Sequence, residues 1–207
     1  MARKIRSKTT LDAVEHEILF TRSAIKADPN AEYLLEKTDA WEGQLEPVRA
    51  LDKTVSTLDA EVRSSRGIIN RYLDKLCRRF GDELFVAVER NTQSTRWTTF
   101  FKTSVSTFLE QPFADQVSAV RTWLGAEGDD VLEKYRKELE SWVTRAEKLF
   151  DEEETLTTYR NRLWQAREEL TSGLTKARDA LDRDLADRAV ELGFERSWHK
   201  LFFVTGR

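Results

Sequence analysis

Residues 129–192 read DDVLEKYRKELESWVTRAEKLFDEEETLTTYRNRLWQAREELTSGLTKARDALDRDLADRAVEL. Apolar residues recur in this stretch every three or four positions, which is the spacing of one face of an α-helix. The acidic run at 151–154 interrupts the apolar stripe, but Leu149 and Leu156 are seven residues apart, so the stripe resumes in phase. The pattern favours one helix over 129–192, with a turn back near 151–154 as the alternative.

A second apolar stripe runs through the first half of the chain, from Leu34 to Phe80. Its steps of three, four and seven are typical of a coiled-coil seam. Pro47 is expected to kink or split this helix, because an interior proline loses a hydrogen bond and clashes with the preceding turn. The pair Gly81-Asp82 is expected to end it, and Asp28-Pro29 is expected to end a shorter first helix and begin the next.

The two halves of the chain resemble each other. A displacement of 101 residues places Trp41 on Trp142 and Trp97 on Trp198. The same displacement pairs Phe101 with Phe202, Arg66 with Arg167, Leu73 with Leu174, and Leu84 with Leu185. Repeats of this kind indicate how a fold is built. We interpret the match as a diverged duplication; the alternative is two unrelated amphipathic stretches that share the helical period.

These patterns predict an all-α fold, an elongated helical bundle with coiled-coil-like packing made of two tandem helical units. The predicted organisation is a basic tail at 1–8, a first unit at 9–108 and a second unit at 109–207, packed together in one elongated domain. Units of this size with tryptophans in the seam resemble spectrin-like repeats in general layout, although the chain carries no diagnostic motif of that family.

Composition agrees with long, solvated helices. Charged residues make up 34% of the 207 residues, while 8 Gly and 3 Pro leave little material for the turns of a β-fold. The net charge of −3 gives no strong electrostatic preference for a partner. No apolar run approaches the ~18 residues of a membrane span, and no apolar core follows the basic start, so we expect a cytoplasmic protein.

Metal and cofactor chemistry is not expected. A zinc site needs about three or four Cys and His ligands, and the chain has three such residues in all: His16, His199 and Cys77. A di-iron site needs a Glu three residues before a His, and neither histidine has one. We expect both histidines to face solvent and Cys77 to fill a buried or half-buried position. Motifs for phosphate binding or nucleophilic catalysis are absent, so no catalytic residue is predicted.

A basic stripe on the first long helix is one candidate site. It consists of Arg71, Lys75, Arg78 and Arg79. Clustered cations on one helix flank are the electrostatic signature of nucleic-acid or other polyanion binding. Nearby carboxylates such as Asp74 weaken a phosphate track, so an ordinary solvated face is the alternative.

Two aromatic segments are the other candidate. Trp97, Phe100 and Phe101 form the first, and Trp198, Phe202 and Phe203 form the second, each flanked by cations. Trp and Arg dominate the energetics of protein interfaces, so these six residues are predicted partner-binding anchors. The alternative is that each segment closes an end of the helical bundle.

The sequence therefore predicts a non-catalytic helical scaffold or adaptor that binds protein, with homodimerisation as one route. Binding of nucleic acid or another polyanion through the basic stripe is the alternative function. An enzyme with an unrecognised site is the third.

Overall fold

The computed structural model describes Ile5 and residues 9–204, and the described residues are helical with no strand. The α-helices are α1 (Leu11–Ala27), α2 (Asp39–Ala87), α3 (Thr95–Phe100), α4 (Val105–Leu109), α5 (Phe113–Leu124) and α6 (Asp130–Leu192). Two 3-10 helices cover Glu32–Thr38 and Trp198–Phe202. The all-α prediction is confirmed. The predicted tail at 1–8 lies outside the described residues except for Ile5.

Helix α6 is unbroken over 63 residues, which confirms the single long helix expected from the in-phase stripe. Asp129 caps its start, because Oδ1 accepts hydrogen bonds from the backbone N–H groups of Val131 at 3.0 Å and Leu132 at 2.9 Å. Its end is a Schellman turn: Gly193 adopts a φ of 70°, and the Phe194 N–H donates to the carbonyl of Ala189 at 2.9 Å.

Helix α2 is also unbroken, so the expected split at Pro47 and the expected end at Gly81-Asp82 are both wrong. Gly81 lies in the interior of α2, where a glycine is needed because neighbouring side chains leave no room for a Cβ atom. A Cβ on Gly81 would lie 2.5 Å from Cγ2 of Val105 and 3.2 Å from the Phe101 ring. This glycine is therefore used for close packing and not as a helix breaker.

Helix α1 ends at Ala27, as Asp28-Pro29 predicted, but α2 does not begin there. The side chain of Asp28 accepts from the backbone N–H of Asn30 at 2.9 Å, and the 3-10 helix Glu32–Thr38 follows before α2 starts at Asp39. The side-chain hydrogen bond holds a local turn that competes with an immediate helix start.

The chain divides into two compact units. Unit 1 contains the described residues up to Thr57 together with those from Thr157 onward, and unit 2 contains Leu58–Leu156. These units do not coincide with the predicted tandem units 9–108 and 109–207, because each of them draws on both halves of the chain. The duplication itself stays a prediction.

Unit 1 buries an ion pair in a mostly apolar core. Helices α1, α2 and α6 and the 3-10 helix Glu32–Thr38 contribute to that core, with Val14, Ile18, Ile25, Leu34, Trp41, Leu45, Leu174, Leu181 and Leu185. The Arg178 side chain is 2% exposed, and its Nη2 lies 2.8 Å from Oε2 of Glu17. The Arg178 guanidinium also lies over the Phe203 ring, 5.3 Å from the centroid. A charge buried this deeply requires such partners, because desolvation is otherwise costly.

Unit 2 has an aromatic core centred on Phe80 of α2. The Phe80 ring centroid lies 5.1 Å from that of Phe100, 5.6 Å from that of Trp123 and 6.1 Å from that of Tyr135. Edge-to-face and tilted ring contacts of this kind add to the stabilisation from area burial. The cluster joins α2, α3, α5 and α6 of this unit.

Many buried residues of α2 have a buried counterpart in α6, 101 residues later in the chain. Buried pairs at that displacement include Leu45 and Ala146, Val48 and Leu149, Val55 and Leu156, Ile69 and Leu170, Leu73 and Leu174, Phe80 and Leu181, and Leu84 and Leu185. The tryptophans match less closely, because Trp41 is buried whereas Trp142 is half-buried.

Replacing Gly81 by Ala should destabilise the protein, because the new methyl group would overlap Val105 and Phe101 in a packed core. Gly67 of the same helix is the matched control, since nothing lies within 4 Å of a Cβ at that position. Gly67→Ala should stabilise by about 0.5–1 kcal/mol through helix propensity. Urea unfolding of both variants checks the opposite signs, and equal shifts would contradict the packing role of Gly81.

The Asp129 cap should make stability depend on pH. Burial alone would raise the pKa of the Asp129 carboxyl, but hydrogen bonds from Arg96, with Nε at 2.7 Å, and from the Leu132 and Val131 N–H groups lower it below its ordinary value. A lowered pKa contributes stability above the unfolded-state pKa of about 3.9, and that contribution is lost as the pH falls through the folded-state pKa.

Asp129→Asn should therefore cost stability at neutral pH. The cost should shrink as the pH falls below about 4, because the unfolded wild-type carboxyl takes up a proton there, and it should vanish once the folded carboxyl is protonated at its lower pKa. Urea midpoints of wild type and variant across this range provide the measurement. A difference that does not change with pH would show that the charge of Asp129 contributes nothing.

Candidate interaction surface

The first aromatic segment lies in the core of unit 2. Trp97, Phe100 and Phe101 are all buried. The ring centroids of Trp97 and Phe101 are 5.2 Å apart, and Phe101 lies 4.9 Å from Trp123 of α5. The Ser94 hydroxyl caps the short helix α3 by accepting from the Trp97 N–H at 3.2 Å. This placement matches the alternative in which the segment closes an end of a helical unit.

The second aromatic segment has the same role in unit 1. Phe202 and Phe203 are buried, and Trp198 is half-buried with its ring 4.9 Å from that of Phe202. The Trp198 indole Nε1–H donates to Oδ2 of Asp28 at 3.0 Å, which ties the segment to the turn after α1. Of the six predicted anchors, Trp198 alone retains substantial exposure.

The basic stripe is exposed along its length. Arg71, Lys75, Arg78 and Arg79 all lie on the surface of unit 2. Arg79 lies over the Tyr135 ring at 5.4 Å from the centroid, on a different side of the helix from Arg78. Burial raises the pKa of Asp74, and the charge of Arg78 partly opposes that rise. The four residues therefore present a short cationic flank, interrupted by one carboxyl, and do not form a continuous track.

A partly exposed aromatic stack between α2 and α6 was not predicted from the sequence. Tyr72 and Trp142 have parallel rings, with centroids 4.6 Å apart and an interplanar angle of 6°. The Arg145 guanidinium lies over the Trp142 ring at 4.8 Å from the centroid. Tyr72 is 47% exposed and its neighbour one turn earlier, Ile68, is 52% exposed. Large side chains held in register on a surface are a recognition feature.

These residues border a cleft in unit 2 with a volume of about 400 Å³. Its lining consists of Ser65, Ile68, Ile69, Trp142, Arg145, Lys148, Leu149 and Glu152. We call this feature, together with Tyr72, the stack cleft. Its floor is apolar, and Arg145 and Lys148 line one edge. Lys148 Nζ lies 3.7 Å from a Glu152 carboxylate oxygen, a weak exposed pair.

Helix α5 covers another side of the same helix pair. Arg66 lies over the Phe113 ring at 5.5 Å, and Arg121 Nε donates to Oε1 of Glu147 at 2.8 Å. Residues two apart on an α-helix point about 200° away from each other, so Arg66 and Ile68 belong to different sides of α2. The stack cleft is therefore the side of the pair that α5 leaves open.

A second cleft, of about 520 Å³, lies at the end of α6 in unit 1. Phe194, Trp198 and Leu201 form its apolar wall. Asp28, which lines this cleft, already accepts hydrogen bonds from Asn30 and from Trp198. The wall is therefore part of the closure of unit 1, and its polar groups are largely engaged.

Metal ligation has no support in the part of the chain that is described. No group of three or more His, Cys, Asp or Glu residues there could hold a metal ion. His16 is exposed, as expected, but the expectation for His199 is wrong: its side chain is 15% exposed, with Nε2 3.7 Å from Oδ1 of Asp182.

Cys77 is buried, and that burial raises the pKa of its thiol. None of the described helices has the length and apolarity to cross a bilayer.

Comparison of the chain with protein-family models, with curated proteins and with solved structures found no match.

Trp198→Ala should destabilise the protein by about 2–3 kcal/mol, less than the 3–5 kcal/mol of a fully buried aromatic, because the ring is half-buried and its N–H is bonded to Asp28. Trp164 of α6 is the control for loss of a tryptophan side chain, since it is 59% exposed. Trp164→Ala should change the thermal midpoint little. Equal midpoints for the two variants would remove the closing role assigned to the second aromatic segment.

Proposed function

We propose that this chain is a non-catalytic helical scaffold or adaptor that binds protein through the stack cleft. The observation that carries the proposal is the parallel stack of exposed Tyr72 on half-buried Trp142, with Arg145 above the ring. Trp, Tyr and Arg are the residues that contribute most to interface energetics. Stacking also fixes the rotamers of these side chains, so little conformational entropy is lost when a partner binds.

We also propose that the two halves of the chain are diverged copies, supported by the burial pairs at the displacement of 101 residues. Under that relation Ile68 corresponds to Glu169, and Tyr72 corresponds to Gly173. The fold therefore does not require an apolar residue at either position. An exposed isoleucine and tyrosine in one copy alone indicate a feature retained for binding.

Binding of a polyanion through Arg71, Lys75, Arg78 and Arg79 is the second candidate. The observation in its favour is that all four are exposed, and that no carboxylate among the described residues forms an ion pair with Arg71 or Lys75. A short cationic flank gives sequence-independent affinity that falls steeply with salt.

Affinity purification of the tagged full chain from its native source tests the proposal. Wild type, Ile68→Asp and Val86→Asp would be compared at about 0.15 M and about 0.5 M salt. Val86 is a matched control, because it lies on the same helix and is 70% exposed. We expect specific proteins to be retained by wild type and Val86→Asp at both salt concentrations, and to be lost with Ile68→Asp.

Two other results would contradict this function. Identical retained proteins for wild type and Ile68→Asp would exclude the stack cleft as the interface. Retention of nucleic acid that disappears at the higher salt, and in a variant with Arg71 and Lys75 changed to Glu, would favour the polyanion function. Light scattering of the purified chain separates homodimerisation from binding of a different protein.

A further inference from the structure

We infer that the stack cleft binds an acidic amphipathic α-helix of a partner protein. This inference rests on the proposed function and names the chemistry of the partner. It follows from three features of unit 2: the shape of the open side, the charge around it, and the apolar character of its floor.

Shape indicates a helix. The cleft lies between two neighbouring helices, α2 and α6, and such grooves accept a third helix that places its apolar stripe along them. Helix α5 of the same chain already packs its apolar stripe against another side of this helix pair. It buries Phe113, Val117, Val120 and Trp123, which recur at helical spacing. The open side offers Ile68, Tyr72 and Trp142 to a helix of the same kind.

Charge indicates an acidic helix. Arg145 and Lys148 lie on the α6 edge, and Arg71 and Lys75 lie on the α2 flank next to Tyr72. Two carboxylates oppose them: Glu152 at one end, weakly paired with Lys148, and exposed Glu138 one turn before Trp142. Cations therefore outnumber anions around the apolar centre. Complementary charge at the rim speeds association and rejects basic partners.

The contacts made by α5 show the same combination on the covered side. Arg121 of α5 pairs with Glu147 of α6 through two hydrogen bonds beside the buried stripe. There the docked helix supplies the cation and the receiving helix supplies the anion. On the open side the receiving helices present the cations, so the complementary helix supplies Asp or Glu.

Single-stranded nucleic acid fits this cleft less well. Aromatic side chains can stack on bases, and cations can track phosphates. However, a phosphate backbone would find no hydrogen-bond donor or cation on the apolar lining, which consists of Ile68, Ile69 and Leu149. The carboxylates of Glu138 and Glu152 would repel it. The ring face of Trp142 is already occupied by Tyr72 on one side, with Arg145 also over the ring.

A displayed library of amphipathic helices tests the inference with a defined probe. Each member would have about 18 residues, long enough at ~27 Å to follow the cleft, with apolar residues fixed at i, i+4 and i+7. The flanking positions would vary among Glu, Lys, Gln and Ala. Selection on the folded full chain should enrich Glu over Lys at the flanks.

The strongest selected peptide would then be synthesised and titrated against variants by fluorescence anisotropy. We expect Arg145→Glu and Ile68→Asp each to weaken binding by about tenfold or more, because charge and apolar contact are both lost. Val86→Asp and Trp164→Ala are controls that should bind as wild type does. Thermal unfolding of each variant verifies that the fold is retained, and the exposed positions of Ile68 and Arg145 make that the expected result.

Several outcomes would overturn the inference. Selection that recovers no binder, enriches Lys, or shows no charge preference contradicts an acidic helix. Binders that are insensitive to both Arg145→Glu and Ile68→Asp contradict this location. Tighter binding of a single-stranded oligonucleotide that is lost in Arg145→Glu assigns the cleft to nucleic acid. If native proteins are retained through Ile68 but the library shows no acidic preference, the proposed function stands and this inference fails.

Discussion

The apolar stripe on each long helix is the constraint on which the rest of the structure depends. A helix of 63 residues with one apolar face cannot leave that face in water, and isolated helices gain most of their stability from packing of such a face. In each compact unit, part of α2 and part of α6 satisfy this requirement for each other. The shorter helices then cover what the pair leaves exposed, and unit 2 is covered on the side of α5 and open at Tyr72 and Trp142.

The two units differ at a core position where one of them buries a charged residue. Unit 1 accommodates Arg178 in its core, neutralised by Glu17 and placed over Phe203. At the displaced position unit 2 has Cys77, which is buried without any charge to compensate. Burial of an ion pair costs desolvation that an apolar pair avoids, so the contact between Arg178 and Glu17 is weak evidence of added stability, whereas loss of one partner would leave the other charge buried and unpaired.

The long helices could be predicted because their apolar residues recur with the helical period. The side-chain contacts between helices could not be predicted, because the residues that meet are far apart in the sequence. The in-phase step from Leu149 to Leu156 was sufficient to predict α6 as one helix. Gly81 was misread as a break, because nothing in the neighbouring residues reveals that Val105 approaches it. Residue type is the basis on which the candidate anchors are predicted, and type alone does not distinguish a core aromatic such as Phe101 from a surface one. Ile68 and Tyr72 carried a usable signal, since both are apolar residues adjacent to seam positions and one turn apart.

The burial of Cys77 has a practical consequence for following this protein in solution. Its thiol is enclosed, and its raised pKa keeps the thiolate, the reactive form, at a very low population in the native state. Modification by a thiol reagent therefore requires the surrounding helices to separate. Because this is the single cysteine of the chain, the rate of labelling reports the opening of the helices around Cys77, without any engineered probe.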